Sequence, residues 1–585
     1  MKTRDWLSLI AIAAIGLALG LAGIGWGLPS ARRVALLGES VSQARAELSA
    51  RTSRELETRR GHAAILAAQP AEEQVDLPRL VRRYLLFSDS PDEPLTLMAL
   101  ANMRPRQLDF NPRMVEYGGL HVYGTGAAMT LAHALGLGRI TGDVTHYADH
   151  PEHIAGLYVA GRLLMVLYNV GIAILLYLFG RSVAAVCGRE NPADDAEQPA
   201  VIDRRYRTEI LCGWAAAMMW LLSQPSLAFS HIINPHLPSA FYGTLVAWLA
   251  WRTAVASTPR CWFGAAAAGG AAAACALSAG LSFLVLPAVA FFAAHALENR
   301  LKPEPQQAGG WSSDFSLIRK LCLVVARPLG LALLMAVAFY MAFNPYVLAN
   351  LDVLREEFAR FRQFREPQAA AGSVIAFCLA TLPSAVGLAG VVASVFGAVT
   401  LWKNAAAASR AMVSYAGVAL VLSAWLAGTE AGEALTVRFA MFLLPMLCVF
   451  AAVALTGLWP RVARVAAAAW ISSGLVSATA VHLASFMQAP RDDAGEFINR
   501  TLPAGVVVMT PKSPGPYKTP AFDFSRLRLV SDPMEPHEFA VQVEDRRSPT
   551  TPAGFKLMAD FPKELKLPPT SLSFSGRLVR IYRKE

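Results

Sequence analysis

Apolar runs of about twenty residues recur along almost the whole chain, and nothing constrains its fold more. The first is Trp6–Leu28. Others lie near 155–180, 208–230, 238–253, 263–297, 329–349, 374–402, 411–428, 437–458 and 465–488. About twenty apolar residues as helix span the roughly 30 Å of a bilayer's hydrocarbon. The run 263–297 is too long for one span, about 50 Å at 1.5 Å per residue, so it is expected to break near Ser278–Gly280. Only 16% of the 585 residues are charged while 54% are hydrophobic. Soluble domains carry about 25% charged residues, so a single soluble globule is excluded. The expectation is a polytopic α-helical membrane protein of about eleven spans.

The first run follows Lys2 and Arg4 and precedes Arg32 and Arg33 without a convincing cleavage site. It reads as a retained span, not a removed signal peptide. Segment 119–138 is nearly long enough to cross, and charge decides its placement. If it stays outside, the inner loops carry 15 Lys and Arg and the short outer loops four, as the positive-inside rule requires. The segment is therefore placed on the outer membrane face, juxtamembrane or re-entrant; His121 and His133 also suit it poorly to lipid. The N-terminus is then cytoplasmic and the C-terminus periplasmic, in a multi-pass inner-membrane protein.

Four regions follow: 1–28, the first transmembrane helix; 29–154, a first periplasmic loop with juxtamembrane helices and an acidic motif; 155–488, the transmembrane bundle; and 489–585, a small periplasmic α/β domain. In the last, a short helix over Asp492–Asn499 and strands at Val506–Met509, Arg526–Val530 and Gly576–Tyr582 are expected. All seven cysteines lie between these two polar segments, so the segments fold without disulfides.

Residues that could carry chemistry are few. Ser88-Asp89-Ser90-Pro91-Asp92-Glu93-Pro94 places two adjacent acids behind a proline. Such a pair suits a general base or a metal-assisted carboxylate at the membrane boundary, and equally a helix N-terminus, where acids complement the dipole. Asn111-Pro112 and Tyr117 to Tyr123 read as a turn and an amphipathic helix with aromatic anchors. Arg162 and Arg438 lie near the outer ends of their spans. Intramembrane charges face protein or a polar site, and a guanidinium fork suits a lipid-linked phosphate; snorkelling to headgroups is the alternative. His231 and His236 share a Pro-containing outer loop and could bind a metal or donate to a phosphate. Asn344-Pro345-Tyr346 should end a helix, and Val353–Arg365 should lie as an amphipathic helix on the surface. No P-loop, GxSxG, HExxH or CxxC pattern occurs. Nothing suggests nucleic acid.

An inner N-terminus, one span and a long outer loop with an acidic pair resemble the GT-C membrane glycosyltransferases. The phospholipid-carrier-dependent branch, which includes protein O-mannosyltransferases and aminoarabinose transferases, is the nearest pattern. The residues are Pro91-Asp92-Glu93, Asn111-Pro112 with Tyr117–Tyr123, Gly161-Arg162-Leu163, Asn344-Pro345-Tyr346, Arg438-Phe439 before Leu444-Pro445, and Ala494-Gly495-Glu496-Phe497-Ile498 with Leu502-Pro503-Ala504-Gly505. The resemblance implies transfer of a hexose or pentose, with inversion, from a polyprenyl-phosphate donor to a glycolipid, glycan or protein acceptor. It implies Asp92 as the catalytic carboxylate with Glu93 beside it. Beside these, Arg162 and Arg438 are the candidates for the donor phosphate, and Tyr117, Tyr123, His231 and His236 are substrate-site candidates. No cofactor or metal ligand set is assigned; a divalent metal is possible. Two positions depart from the family pattern: Asn234-Pro235-His236 where an acid is frequent, and Ser278-Ala279-Gly280 where a lysine is frequent. They keep open an inactive scaffold, beside a lipid or solute transporter or flippase.

Overall fold

The computed structural model describes residues 3–58, 76–114, 117–187, 199–256, 259–301, 314–363, 375, 377–403, 407–427, 437–441, 443–457, 461–511, 514–544, 552, 554–561 and 578–585. Its membrane part is all-helical. Helix α1 (Thr3–Leu21) leads to α2 (Ala31–Leu37), α3 (Glu39–Thr58), α4 (Leu77–Leu86), α5 (Glu93–Asn102), α6 (Gly119–Ala134) and α7 (His146–Asp149). Then come α8 (Pro151–Cys187), α9 (Pro199–Leu221), α10 (Gln224–Ser230), α11 (His236–Ala256), α12 (Pro259–Cys275), α13 (Val285–Leu301), α14 (Asp314–Phe343) and α15 (Leu351–Gln363). Helices Leu382–Lys403, Ala407–Ala427, Leu444–Gly457 and Arg461–Phe486 complete the bundle.

The hub is α8. Its 37 residues extend about 55 Å at 1.5 Å per residue, and α1, α6, α9 and α11 pack along it. Small residues set the spacing. A Cβ on Gly397 would sit 1.7 Å from the Phe450 carbonyl, and one on Gly270 2.2 Å from that of Ala336. Such backbone approach is how membrane helices gain contact without a hydrophobic driving force. Inside the bundle Asn169 Oδ1 accepts from Trp220 Nε1 (2.7 Å) and Ser226 Oγ (2.8 Å). At one end Arg181 of α8 pairs with Asp5 of α1 at 2.8 Å, which puts the chain's start and the C-terminal end of α8 together.

By length and composition four described helices can cross a membrane, five if the 57° break between Tyr206–Leu221 and Gln224–Ser230 lies within one span. Asp5–Leu21, Ala279–Ala293 and Leu444–Gly457 are shorter apolar helices. The eleven expected crossings are therefore not all matched by full-length helices among the described residues. The long run breaks where expected: α12 ends at Cys275, Leu277–Leu284 is 3-10, and α13 begins at Val285. Helix α14 ends at Phe343, immediately before Asn344-Pro345, and α15 occupies the expected surface-helix position.

Helix α6 lies along one rim of the bundle. Its N-cap Gly118 N–H donates to the Cys275 carbonyl at the end of α12. Past its other end, Leu137 and Gly138 rest on the first turns of α8, near Gly156 and Leu157. Between these contacts α6 runs along α8, with Gly124 beside Leu164.

The two long polar segments build one unit. The C-terminal helix Pro490–Thr501 packs on a five-stranded sheet of order β2-β1-β3-β5-β4, with β1 Val507–Met509, β2 Arg528–Val530, β3 Phe539–Glu544, β4 Phe555–Phe561 and β5 Leu578–Lys584. Pairing is parallel around β1 and antiparallel around β5. Sequence pattern gave three strands near their observed places and missed β3 and β4. The core here is shared: Leu37, Leu48, Val81 and Leu85 pack with Ile498, Val508, Phe522, Val541 and Ile581. The C-terminal segment, expected as a plausible independent unit, buries its apolar face against the first outer segment.

A buried ionic clamp reinforces that joint. Asp89 accepts from Arg33 at 2.6 Å and from Arg491 at 3.0 Å, and Arg33 also donates to the Phe87 and Gly27 carbonyls. Asp523 accepts from Ser40 Oγ, the Glu39 amide and Ser525. Burial raises the Asp523 carboxyl, but these hydrogen bonds outweigh it and hold the group below its ordinary value.

Candidate active site

The acidic motif folds as the start of α5. Pro94 lies in the first turn, and Asp92 occupies the N-cap position but makes no side-chain capping hydrogen bond. A capping role alone therefore does not account for Asp92, which is half-buried.

Glu93 is 0% exposed and so is Arg162. Glu93 Oε1 accepts from Arg162 Nε at 2.7 Å and from the Ile233 amide at 2.9 Å. Oε2 accepts from Arg162 Nη2 at 2.8 Å and from Ser88 Oγ. Arg162 Nη1 donates to the carbonyls of Ile24 (2.7 Å) and Trp26 (2.6 Å). This fork-to-fork pair, with its remaining hydrogen bonds satisfied, meets the condition under which a buried ion pair is tolerated. It also corrects the expectation for Arg162: the guanidinium is enclosed by protein and holds α5, α8, the 24–26 turn and the 231–235 turn together. It offers no face to a donor phosphate.

His231 is likewise structural. It is fully buried, its ring nitrogens face the Leu227 and Ala22 carbonyls at 2.7 Å each, and it stacks on Phe486 with centroids 4.1 Å apart. His236 differs. It opens α11, is half-buried, stands edge-on to Phe229, and has Arg438 and His121 as electrostatic neighbours. Arg438 is half-buried in the turn Val437–Ala440. His121 Nε2 lies 3.1 Å from Thr96 Oγ1, one turn along α5 from Glu93, and Tyr117 meets the His121 ring edge-on at 5.7 Å.

Thr96 of α5, Tyr117 and His121 thus lie together, and His236 has His121 and Arg438 as neighbours. His121 and Asn234 were not singled out as site residues from sequence. His121 Nδ1 and Asn234 Nδ2 are buried polar atoms without a hydrogen-bond partner among the described residues. Such groups cost about 1–3 kcal/mol each, which a polar ligand or water would relieve. Tyr117 lies just before α6, so helical spacing did not link it to His121 in the sequence.

An adjoining recess is lined by Gly118, Gly119, Tyr123, Asn344, Tyr346 and Asn350, among others. Two separately noted motifs meet in it. Asn344 Oδ1 accepts from the Gly119 amide at 2.7 Å, Asn111 and Asn350 exchange side-chain amide hydrogen bonds, and Tyr346 Oη accepts from the Phe110 amide at 3.3 Å. Tyr123 donates to the Phe110 carbonyl. Burial, with Tyr346 nearby, pushes its phenol up to about 12, so it stays a neutral donor. Gly118 and Gly119 are needed for this contact. A Cβ would lie 2.0 Å from the Ala274 carbonyl at the first and 2.1 Å from that of Phe343 at the second. Gly119→Ala is expected to cost about 1–3 kcal/mol through overpacking and to lower the thermal midpoint. Unchanged stability would contradict the close docking of α6 on the end of α14.

The carboxylates here are largely matched by guanidinium groups: Asp89 by Arg33 and Arg491, Glu93 by Arg162, and Asp109 by Arg113. Among the described residues no group of three or more metal-ligating side chains gathers at this site.

No family model matches the chain, and no curated protein matches it. Among solved structures it is similar to the Archaeoglobus fulgidus oligosaccharyltransferase tethered with an acceptor peptide containing the NVT sequon, at 11% identity and TM-score 0.37, over 73% of this chain and 61% of that one. It is also similar to the archaeal oligosaccharyltransferase AglB from Archaeoglobus fulgidus in complex with an inhibitory peptide and a dolichol-phosphate, at 12% identity and TM-score 0.36, over 73% and 61%. A third Archaeoglobus fulgidus oligosaccharyltransferase structure, a complex with Zn and sulfate, matches at 14% identity and TM-score 0.35, over 74% and 60%. The chain spans about three fifths of the length of these neighbours. Matches this distant assign no function.

Proposed function

We propose that the chain is a membrane glycosyltransferase. It takes a sugar from a polyprenyl-phosphate donor and passes it to a glycolipid, glycan or protein acceptor at the outer membrane face. The observation that carries this reading is a carboxylate, Asp92, at the first turn of α5, a turn fixed by the buried Glu93–Arg162 pair. His121 meets Thr96 of the same helix, and His121 and Arg438 neighbour His236.

In the proposed reaction an acceptor hydroxyl attacks the anomeric carbon and its proton passes to Asp92. The bond from the anomeric carbon to the phosphate oxygen breaks, and its electron pair leaves with the lipid phosphate. Arg438 stabilises the charge growing there. With Arg162 committed to Glu93, that task falls to Arg438 alone. The prenyl chain binds along the apolar bundle, away from the reacting centre, which is where binding energy is best used.

Arg438→Ala is expected to reduce donor use roughly 10- to 150-fold, the worth of one charge-assisted contact at about 1.5–3 kcal/mol. Lysine should restore only part, because it supplies a point charge in place of a fork. Steady-state assays over a donor series decide it. Transfer by Arg438→Ala at the parent rate would remove the phosphate role. Mass spectrometry of glycolipids and glycoproteins with and without the gene should show one missing glycoform.

A further inference from the structure

Away from this site, three metal-ligating side chains meet at the first turn of α8, and a fourth, His146 of α7, reaches one of them. His150, Glu152 and His153 each offer a ligand atom, and these atoms lie within 4.8 Å of one another. His146 Nε2 stands 2.8 Å from His153 Nδ1. The His146 and His153 rings are nearly parallel with centroids 5.0 Å apart, and the His150 ring lies 5.0 and 5.3 Å from the two. His150 Nδ1 is 3.2 Å from Glu152 Oε1.

At 2.8 Å one imidazole nitrogen donates and the other accepts, so a single proton is held between two nitrogen lone pairs. A metal ion can replace that proton. Tetrahedral Zn²⁺ with bonds of about 2.0–2.1 Å holds its donors about 3.3–3.4 Å apart, so the pair need open by only about half an ångström. Asp149 is not a ligand, because it pairs with Arg45 of α3. The α8 N-terminal dipole opposes a cation, and direct coordination by three imidazoles with Glu152 must overcome it.

We propose that His146, His150, His153 and Glu152 bind one divalent transition-metal ion of the zinc class. Imidazole nitrogens favour Zn²⁺, Ni²⁺ or Cu²⁺, whereas Mg²⁺ and Ca²⁺ want oxygen. The ion does not take part in sugar transfer. It pins the four-residue α7, and through Asp149–Arg45 the outer helix α3, to the hub helix α8. On binding, the shared proton moves to the far nitrogen of its own ring, so each neutral imidazole keeps one N–H and gives one lone pair to the ion.

The test is Zn²⁺ alone, titrated into chelator-stripped, purified full chain in competition with a chromophoric chelator. The parent should bind one equivalent and gain thermal stability from it. His150→Ala and His153→Ala should each weaken binding by more than the roughly 10- to 100-fold that loss of a second-shell partner costs, and should lose the zinc-dependent stabilisation. The His150 and Glu152 side chains are 51% and 65% exposed, so His150→Ala and Glu152→Gln should fold whatever His153→Ala does. Zinc bound by folded His150→Ala as tightly as by the parent, or none bound by the parent, overturns the proposal.

Discussion

Asp92→Asn is expected to lower sugar transfer by about 10²–10⁴-fold, the usual contribution of positioned proton transfer, with the fold intact. Asparagine keeps the size of the side chain and is itself a good N-cap, while basicity and charge are lost. The side chain makes no capping bond, so the helix end does not depend on it. Rate per folded molecule, with size-exclusion and thermal-melt controls, separates the outcomes. A modest stability loss at unchanged turnover would mean that Asp92 serves the helix end only. Glu93→Gln should act differently, through stability, because Glu93 is enclosed and bound on both oxygens.

Removing Arg162 should be the most damaging single change to folding. Arg162→Ala leaves the fully buried Glu93 without its counter-charge and the Ile24 and Trp26 carbonyls without their donor. Breaking a buried pair from one side costs about 3–5 kcal/mol, a large share of the roughly 5–15 kcal/mol that keeps a protein folded. The expected result is a sharp drop in monodisperse protein and thermal midpoint. Arg162→Lys should fail nearly as badly, because one ammonium cannot reach both Glu93 oxygens and two carbonyls. An Arg162→Ala protein as stable as the parent but weak in donor binding would return Arg162 to the phosphate.

The sequence pattern carries the helices well because apolar length and proline placement are local properties. Phe343 before Asn344-Pro345, the break after Cys275 and the start of α5 at Pro91–Pro94 were all legible. Charge bias placed segment 119–138 outside by counting loop residues, which is a property of the whole chain and not of the segment. Pairings between distant residues were not legible. A lone arginine in a span looks the same whether it awaits a ligand or meets a carboxylate 69 positions away. His231 is equally ambiguous in a loop, and only its two carbonyl partners make it structural. β3 buries Phe539, Ala540 and Val541 in succession and so does not alternate. β4 is an edge strand with a register shift between Leu557 and Ala559 and three exposed residues in a row, so it too lacks the period-2 signal that marks a half-buried strand.

The most direct test uses purified chain with a polyprenyl-phosphate donor labelled in its sugar, together with membrane extract as acceptor. The account predicts that label leaves the lipid for an acceptor and that lipid phosphate is released in equal amount. It also predicts that Asp92→Asn slows both by about 10²–10⁴-fold. Donor left intact by the folded parent across the hexose and pentose series, or label transferred equally fast by Asp92→Asn, would contradict it.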